Sequence, residues 1–217
     1  MLKAKFFESH GVKRVLLCCA FLLIISGNVL AKDKKIYQGE LFLITLPPQW
    51  YHASNEPELK NGVMHIMPPN LDEFVPKGET VDNWTQMLSR EVFKGLKGID
   101  PEWYLMEMNR KITEEECPGQ VRRLTASGVK NGYAEAFAQA DCPLGEITLY
   151  KAVQGRDSFY VVWRSYRVPP FPKGRPPPIS PKLIYDGFKY LEEHVKLCDL
   201  RIAGSCPPEV EDHPERY

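Results

Sequence analysis

The sequence has no basic cluster of the kind that binds nucleic acid. Lys+Arg and Asp+Glu both number 28, so the formal net charge is 0. Nucleic-acid-binding proteins need clustered basic residues to neutralise phosphates, and beyond the short run 32–35 (KDKK) the basic residues are scattered. We therefore predict that neither nucleic acid nor an anionic membrane surface is a partner.

Sequence signatures of common catalytic sites are also missing. There is no GxSxG, HExxH, GxxxxGK[ST], or GxGxxG after a strand. His65 is the best-placed candidate for a general base, but its apolar neighbours (VMHIM) favour a packed, hydrogen-bonded histidine. The acids of TEEE and YLEEH are adjacent in sequence, whereas two carboxyls acting across a bond need a fixed separation. The sequence therefore predicts no catalytic residue and no cofactor.

No apolar run is long enough for a membrane span, which needs about 20 residues. The N-terminus instead has the three parts of a signal peptide. Thirteen uncharged residues (VLLCCAFLLIISG) precede Val29 and Ala31 at the −3 and −1 positions of a cleavage site. They follow a positive segment that carries Lys3, Lys5, Lys13 and Arg14.

We predict that residues 1–31 are a cleaved signal peptide and that the mature protein is periplasmic or secreted, without a stable membrane anchor. Four basic residues and one acidic residue leave with the leader, so the mature net charge is near −3.

Close cysteine pairs of the CxxC type, which metal sites use, are absent from the mature chain. Its cysteines are at least eight residues apart and its histidines are scattered, so we predict no metal. An even number of cysteines in an exported chain indicates two disulfides. A predicted hairpin brings Cys117 near Cys142, and a short loop with a glycine separates Cys198 from Cys206. We predict these two pairings.

The stretch 74–92 (FVPKGETVDNWTQMLSREV) is predicted to begin a helix. Thr80 is a good N-cap, and Asp82 would interact favourably with the helix dipole. Apolar residues then recur at helical spacing: Trp84, Leu88, Val92 and Leu96. We expect Trp84 to be a buried anchor. The alternative is a polar site formed by Glu79, Asp82 and Asn83.

The remaining pattern predicts an antiparallel sheet with helices. Residues 35–46 and 62–69 read as an N-terminal hairpin whose strands end at prolines. Residues 121–167 read as a four-stranded meander, with a strong hairpin signal at Asn131-Gly132. Further helices are predicted after Asp100-Pro101 and after Ser180-Pro181.

These elements predict an α+β fold in which an antiparallel sheet is packed by helices. We expect residues 32–206 to form a single domain and residues 207–217 to be a flexible tail.

Seven prolines occur in residues 168–181 (VPPFPKGRPPPISP), which predicts an extended, semi-rigid connector. The alternative is a docking strand for an aromatic groove of a partner. The candidate interaction surface is then Pro169, Pro170, Phe171, Pro176, Pro177 and Pro178.

The run FLITLPPQW, which ends at Pro47-Pro48-Gln49-Trp50, resembles the opening strand and Pro-x-x-Trp corner of PsbP-like proteins. The helix, meander and closing helix follow in the matching order. This resemblance implies an α-β-α sandwich, shared with photosystem accessory subunits and Ran-binding factors, and a non-catalytic accessory or binding role. The disulfide pattern departs from the photosynthetic members, so the resemblance implies no particular partner. The block ETVDNWTQM, with the later cysteines, also resembles uncharacterised exported bacterial proteins.

Three functions follow as hypotheses. The first is an exported, non-catalytic binding or accessory domain with a protein partner. The second is an exported hydrolase whose site no motif marks. The third is a structural component of envelope assembly.

Overall fold

The computed structural model describes residues 39–53, 59–60, 63–64, 71–114 and 116–213. All of them belong to one compact unit, Ile36–Tyr217. None of the described helices has the length and apolar character needed to cross a membrane. The predicted signal peptide and His65 lie outside the described residues.

Eleven strands are described within these ranges: β1 Glu40–Ile44, β2 Trp50–His52, β3 Leu59–Lys60, β4 Val63–Met64, β5 Leu71–Pro76, β6 Gln86–Lys94, β7 Val121–Lys130, β8 Tyr133–Cys142, β9 Glu146–Gln154, β10 Ser158–Arg167 and β11 Val195–Asp199. The helices are α1 Pro101–Trp103, a π-helical segment Tyr104–Met108, α2 Asn109–Glu114, α3 Pro181–His194 and α4 Pro208–Glu211.

Seven strands form one antiparallel sheet in the order β2-β5-β6-β10-β9-β8-β7. The predicted meander is present as β7 to β10. Its first turn contains Asn131 and Gly132 with φ of 53° and 79°, the left-handed conformation that a type I′ hairpin requires. The structure is thus an α+β fold dominated by antiparallel sheet, as predicted.

The first face of the sheet, which we call the α3 face, is covered by α3 and by the β1–β11 pair. Its core is strongly apolar and includes Leu88, Phe137, Leu149, Val162 and Leu191. The helix lies so close to the sheet that a Cβ on Gly187 would be 2.5 Å from both Leu149 Cδ1 and Tyr166 Oη. Glycine at this position therefore sets the distance between α3 and the sheet.

The predicted Pro-x-x-Trp corner also packs on the α3 face. The guanidinium of Arg164 lies 5.5 Å from the ring centre of Trp50, 5.3 Å from that of Tyr166 and 5.0 Å from that of Tyr190. Tyr190 Oη also donates to the carbonyl of Thr45. Trp50 therefore joins β2 to the sheet and to α3 through a shared cation–π cluster.

The opposite face, which we call the groove face, is covered at one end by the helical stretch from α1 to α2. Asp100 caps this stretch as predicted, because its Oδ1 accepts the N–H of Trp103 at 2.7 Å. Tyr104 and Leu105 are buried against a row of small side chains that includes Ala136 and Ala138. Small residues on β8 thus allow the helix to lie directly on the strands.

The predicted helix after Thr80 is wrong, because residues 86–94 form β6, an inner strand of the sheet. Thr80 does make cap-like contacts: its Oγ1 accepts the N–H of Asn83 at 3.1 Å. The chain then extends between β5 and β10 instead of winding into a helix. Trp84 precedes the strand and is 8% exposed, so its predicted burial is correct although its predicted helix is not.

The predicted N-terminal hairpin is also wrong. β1 pairs with β11, near the other end of the chain, in a separate two-stranded sheet. The buried carboxylate of Glu40 stabilises this position: it accepts backbone N–H groups of Arg156 and Asp157 and the hydroxyl of Tyr160. The hydrophobic pattern of the sequence did not reveal that β1 pairs with β11, the strand that begins immediately after α3.

The region predicted as a tail from residue 207 begins with α4. Val210 in this helix is 2% exposed and packs beside Cys198 and Cys206. Glu211 Oε1 accepts the N–H of Cys206 at 3.1 Å. The second disulfide therefore provides a small apolar surface that anchors residues 208–211.

Candidate binding groove

The groove face is ordered in rows of side chains that follow from the strand register. The central row runs Glu73, Ser89, Trp163, Tyr150 and Ala138 across five strands. The next row toward the helix contains Glu91, Val161, Ala152 and Ala136. Away from the helix lie Met87, Ser165, Thr148 and Ala140, followed by Arg167, Glu146 and Cys142.

An open groove of about 620 Å³ follows β10 across these rows. Glu91 lies beside Val161 at one end, and Glu146 lies beside Arg167 at the other. Six residues of strand at about 3.3 Å each place these two ends about 20 Å apart. The lining residues are Glu91, Phe93, Tyr104, Glu116, Cys117, Gln120, Cys142, Leu144, Gly145, Glu146, Thr148, Tyr150, Trp163, Arg167 and Val168.

The middle of the groove is aromatic. The rings of Tyr150 and Trp163 are neighbours on β9 and β10, with centres 6.4 Å apart. The guanidinium of Arg122 lies 4.7 Å from the ring centre of Tyr150 and donates to the carbonyl of Leu105 at 3.1 Å. Burial raises the pKa of Tyr150 above its ordinary value, although Arg122 opposes this effect. Arg122 thus holds the ring of Tyr150 in place before any ligand binds.

The Glu146 end is held by hydroxyl groups and by a disulfide. Glu146 Oε1 accepts hydrogen bonds from Thr148 Oγ1 at 2.8 Å and Ser165 Oγ at 2.9 Å. The disulfide Cys117–Cys142 lines the same end, with Cα atoms 5.9 Å apart. It fixes the loop after α2 to the end of β8, so the groove wall is covalently attached to its floor.

Arg167 connects the groove to the stretch that we predicted to be a helix. Its guanidinium lies 4.4 Å from the ring centre of Trp84, and its Nη1 donates to the carbonyl of Asp82 at 3.3 Å. Its backbone N–H donates to the carbonyl of Thr85. The positive charge at this end is therefore already engaged by the protein.

Two half-buried carboxylates lie near the other end. Burial raises the pKa of Glu91 above its ordinary value. Burial also raises the pKa of Glu73, while the charge of His52 opposes the rise. Glu73 is opposite Ser89, and Glu91 is two residues further on the same strand face. Such diagonal neighbours are usually about 7–8 Å apart, so each carboxylate is poorly solvated and lies near a like charge.

We expect Glu91→Gln to stabilise the fold at pH 7 relative to pH 4. With the folded-state pKa raised, the folded protein binds more protons than the unfolded chain between the ordinary and the raised pKa. Stability therefore falls as pH rises through this window and stays lower above it. Glutamine removes the cost of ionisation, with a gain below about 1 kcal/mol because the group is partly solvated. Urea unfolding at both pH values measures the difference, with exposed Glu193→Gln as the control. A gain that is the same at pH 4 and pH 7 would contradict the prediction.

The disulfide residues lie where the sequence placed them. The bonded pairs are Cys117–Cys142 and Cys198–Cys206, the two pairings that we predicted. Only the first lines the groove. The second holds the loop between β11 and α4.

The proline-rich segment is not extended throughout, because it turns at residues 172–175, where the N–H of Arg175 donates to the carbonyl of Pro172 at 3.1 Å. Pro169, Pro170, Pro176 and Pro178 are exposed, whereas Phe171 and Pro177 are half-buried. Phe171 packs on the α3-face core. A smaller cleft of about 300 Å³ contains Phe171, Pro176 and Pro177 beside Arg123 and Asp141.

The polar alternative for residues 79–83 is not assembled as one site. Glu79 accepts hydrogen bonds from the backbone N–H and hydroxyl of Thr85. Asp82 supplies its carbonyl to Arg167, and Asn83 supplies its backbone N–H to Thr80. These contacts close the turn that leads into β6.

Histidines and metal-ligating groups do not converge in the described part of the chain. His52 Nε2 lies 2.9 Å from Asp72 Oδ1, and Arg90 Nε lies 2.6 Å from Asp72 Oδ2. These two contacts lower the pKa of Asp72 despite its partial burial. Asp72 alternates with Glu73 and therefore faces away from the groove. No cluster of three or more His, Cys, Asp or Glu suited to a metal ion occurs among the described residues.

No protein-family model matches the sequence, and no curated protein matches it. Solved structures similar to the chain include the Ran-binding protein Mog1p of Saccharomyces cerevisiae. The match covers 74% of this chain and 95% of that chain, with a TM-score of 0.45 and 10% identity. A mutant of protein Mog1 matches over 68% and 77%, with a TM-score of 0.39 and 10% identity. Cyanobacterial PsbP (CyanoP) from Synechocystis sp. PCC 6803 matches over 61% and 82%, with a TM-score of 0.39 and 8% identity. The predicted resemblance to PsbP-like proteins is thus found among solved structures, and at these identities it concerns the fold alone.

Proposed function

We propose that this protein is an exported, non-catalytic binding domain that holds an extended segment of a partner protein in the groove along β10. The observation that carries this proposal is the shape of the groove. It is about 20 Å long, open, and lined along its middle by Tyr150 and Trp163. Rigid aromatic side chains are enriched at protein interfaces because they bury a large area at a small entropic cost.

The length of the groove matches an extended peptide. A strand rises about 3.3 Å per residue, so about six residues span the distance from Glu91 to Glu146. Polar side chains occur at both ends of the groove and along its wall, including Gln120 and Thr148. A compact small molecule would leave one end of the groove unfilled.

Catalytic chemistry is less well supported by the lining residues. Both cysteines of the groove are joined in a disulfide, and no histidine is among the described residues that line it. Glu91 and Glu146 are about 20 Å apart along the strand, beyond the about 5–9.5 Å that glycoside hydrolysis requires between two carboxyls. Glu73 and Glu91 are closer, but Glu73 is not among the residues that line the groove.

The proposal of export rests on the signal-like residues 1–31 and on the two disulfides, which persist in oxidising compartments. We also propose that the layers form the PsbP-like α-β-α sandwich. The helical stretch from α1 to α2 lies on the groove face, and α3 lies on the other.

Site-specific photo-crosslinking in the native cells tests this function. A photoreactive side chain at Leu144, which is 65% exposed on the groove wall, should crosslink to a protein. The same group at Tyr185, which is 66% exposed on α3, serves as the control. We expect a protein adduct at position 144 only, and we expect Trp163→Ala to remove it. Equal adducts at both positions, or no protein adduct at position 144, would overturn the proposal.

A further inference from the structure

The charge on the groove is unbalanced, and this imbalance indicates the chemistry of the bound segment. Carboxylates of Glu91, Glu116 and Glu146 line the groove. Of the basic side chains, Arg167 lines it, and its guanidinium is stacked on Trp84 and hydrogen-bonded to Asp82. The guanidinium of Arg122 lies over the Tyr150 ring and donates to the carbonyl of Leu105. The groove therefore has three carboxyl groups beside two guanidinium groups that already contact other parts of the protein.

The Glu91 end contains hydrogen-bond acceptors in excess. Burial raises the pKa of Glu91 above its ordinary value. Glu73 adds a second carboxylate on the same face of the adjacent strand. A cationic donor is the group that such a pair would hold best, because charge-assisted hydrogen bonds to carboxylates are stronger than neutral ones.

Ser89 lies on the same sheet face as these carboxylates, outside the set of residues that line the groove. Its side chain lies between Glu73 and Trp163 in the central row, it is 0% exposed, and its Oγ has no hydrogen-bond partner among the described residues. Buried polar groups in folded proteins are normally hydrogen-bonded. A hydroxyl oxygen can accept a hydrogen bond from an ammonium or guanidinium group, which matches the charge that the two glutamates favour.

The aromatic floor is suited to the same group. Cations bind over the faces of tryptophan and tyrosine rings, and this chain already places Arg122 over Tyr150 and Arg167 over Trp84. The half-buried ring of Trp163 lies beside Ser89 in the central row. A basic side chain can thus pass along this ring toward the carboxylates.

We infer that the groove binds an extended, basic protein segment, with one Lys or Arg at the Glu91 end and a second about six residues away at the Glu146 end. This inference rests on the proposed function and specifies its ligand. The spacing follows from the strand rise of about 3.3 Å per residue. Glu146 is held ready for this role by Thr148 and Ser165, and Glu116 adds negative charge at the groove wall.

Binding of synthetic peptides to the full chain tests the inference. The probes are fluorescein-labelled twelve-residue peptides of Ser and Gly, with two Lys six residues apart, two adjacent Lys, or two Glu six residues apart. We expect the spaced Lys peptide to bind roughly tenfold more tightly than the Glu peptide, and more tightly than the adjacent Lys peptide, since opposite charges favour association and like charges oppose it. Binding should weaken as salt rises.

Variants identify the carboxylates responsible. Glu91→Gln and Glu146→Gln should each weaken binding of the spaced Lys peptide by roughly 5- to 10-fold, less than the usual loss for a charged hydrogen bond, because solvent in the open groove screens the charges. Exposed Glu193→Gln on α3 should leave it unchanged. Melting curves of each variant show whether weaker binding is caused by loss of the folded state. Equal binding of Lys and Glu peptides, or equal effects of all three variants, would overturn the inference.

The two proposals fail in different ways. If the Leu144 crosslink forms and persists in Glu91→Gln, the groove binds a partner but not through basic side chains, so only the inference fails. If the wild-type protein gives no site-specific crosslink, the proposed function fails, whatever the peptides do.

Discussion

Replacing Trp84 with alanine is expected to destabilise the fold by about 3–5 kcal/mol, the usual cost of truncating a buried tryptophan. The side chain is 8% exposed and packs with Val75 and Met87 on the groove face. Its ring also carries the guanidinium of Arg167 at 4.4 Å. The variant therefore loses both apolar burial and a cation–π contact. Urea unfolding at neutral pH measures the change.

Two controls separate burial from other contributions. Trp103→Ala should change stability by less than about 0.5 kcal/mol, since Trp103 is 51% exposed. Thr80→Ala should cost at most about 1 kcal/mol through loss of its contact with the Asn83 N–H. If Trp84→Ala unfolds at the wild-type urea concentration but loses the Leu144 crosslink, Trp84 belongs to the binding site and not to the core.

The sequence around Trp84 shows why its burial was predictable and its secondary structure was not. Thr80 makes a cap-like turn that occurs equally well before an extended strand. In β6, Arg90 faces the α3 side and is paired with Asp72, while Ser89 and Glu91 face the groove. Polar residues on both faces conceal the two-residue period of a central strand. Several other residues of β6, including Gln86, Met87 and Leu88, are good helix formers, so local preference favoured the wrong element and tertiary pairing decided the outcome.

The meander and the disulfides were predictable because they depend on local signals. Asn131-Gly132 specifies a tight turn, and the turn determines which residues of β7 and β8 face each other. Cys117 and Cys142 flank this hairpin, so their proximity followed from the same signal. The β1–β11 pair carries no such signal, because its strands are separated by most of the chain.

The groove was not predictable either, because it also depends on pairing between strands that are distant in sequence. Glu91, Trp163, Tyr150 and Glu146 lie on three strands, and they share one face only because the registers of β6, β9 and β10 align them. A shift of one residue in either register would turn these side chains to opposite faces. The raised pKa values of Glu73 and Glu91 point to this part of the sheet. Because burial causes both, they become visible only once the fold is known.

Lys151 is a buried cation that the sequence pattern also concealed, within the apolar strand β9. It is 2% exposed on the α3 face. Its Nζ lies 2.9 Å from Glu135 Oε2 and donates to the carbonyls of Val195 at 3.0 Å and Leu191 at 3.4 Å. Burial lowers the pKa of Lys151, and Glu135 opposes this effect. All three ammonium donors are thus used where α3 ends and β11 begins.

We expect Lys151→Ala to destabilise the fold by about 3–5 kcal/mol, because removal of one partner leaves the other charge buried without compensation. The carboxylate of Glu135 has a side-chain exposure of 12%, so water cannot fully replace the ammonium. Urea unfolding measures the loss, with exposed Lys182→Ala on α3 as the control; its pair with Asp186 is surface-exposed and should contribute less than about 1 kcal/mol.

The double variant Lys151→Met, Glu135→Leu distinguishes an uncompensated charge from a lost structural tie. If the buried charge of Glu135 causes most of the damage, removing both charges should recover at least half of the stability, because apolar replacements of buried ion pairs are often neutral. The two single changes would then be strongly non-additive, as contacting residues in one network are. Additive losses would show instead that Lys151 acts through the carbonyls of Leu191 and Val195. In that case its main role is to join the end of α3 to the strand that pairs with β1.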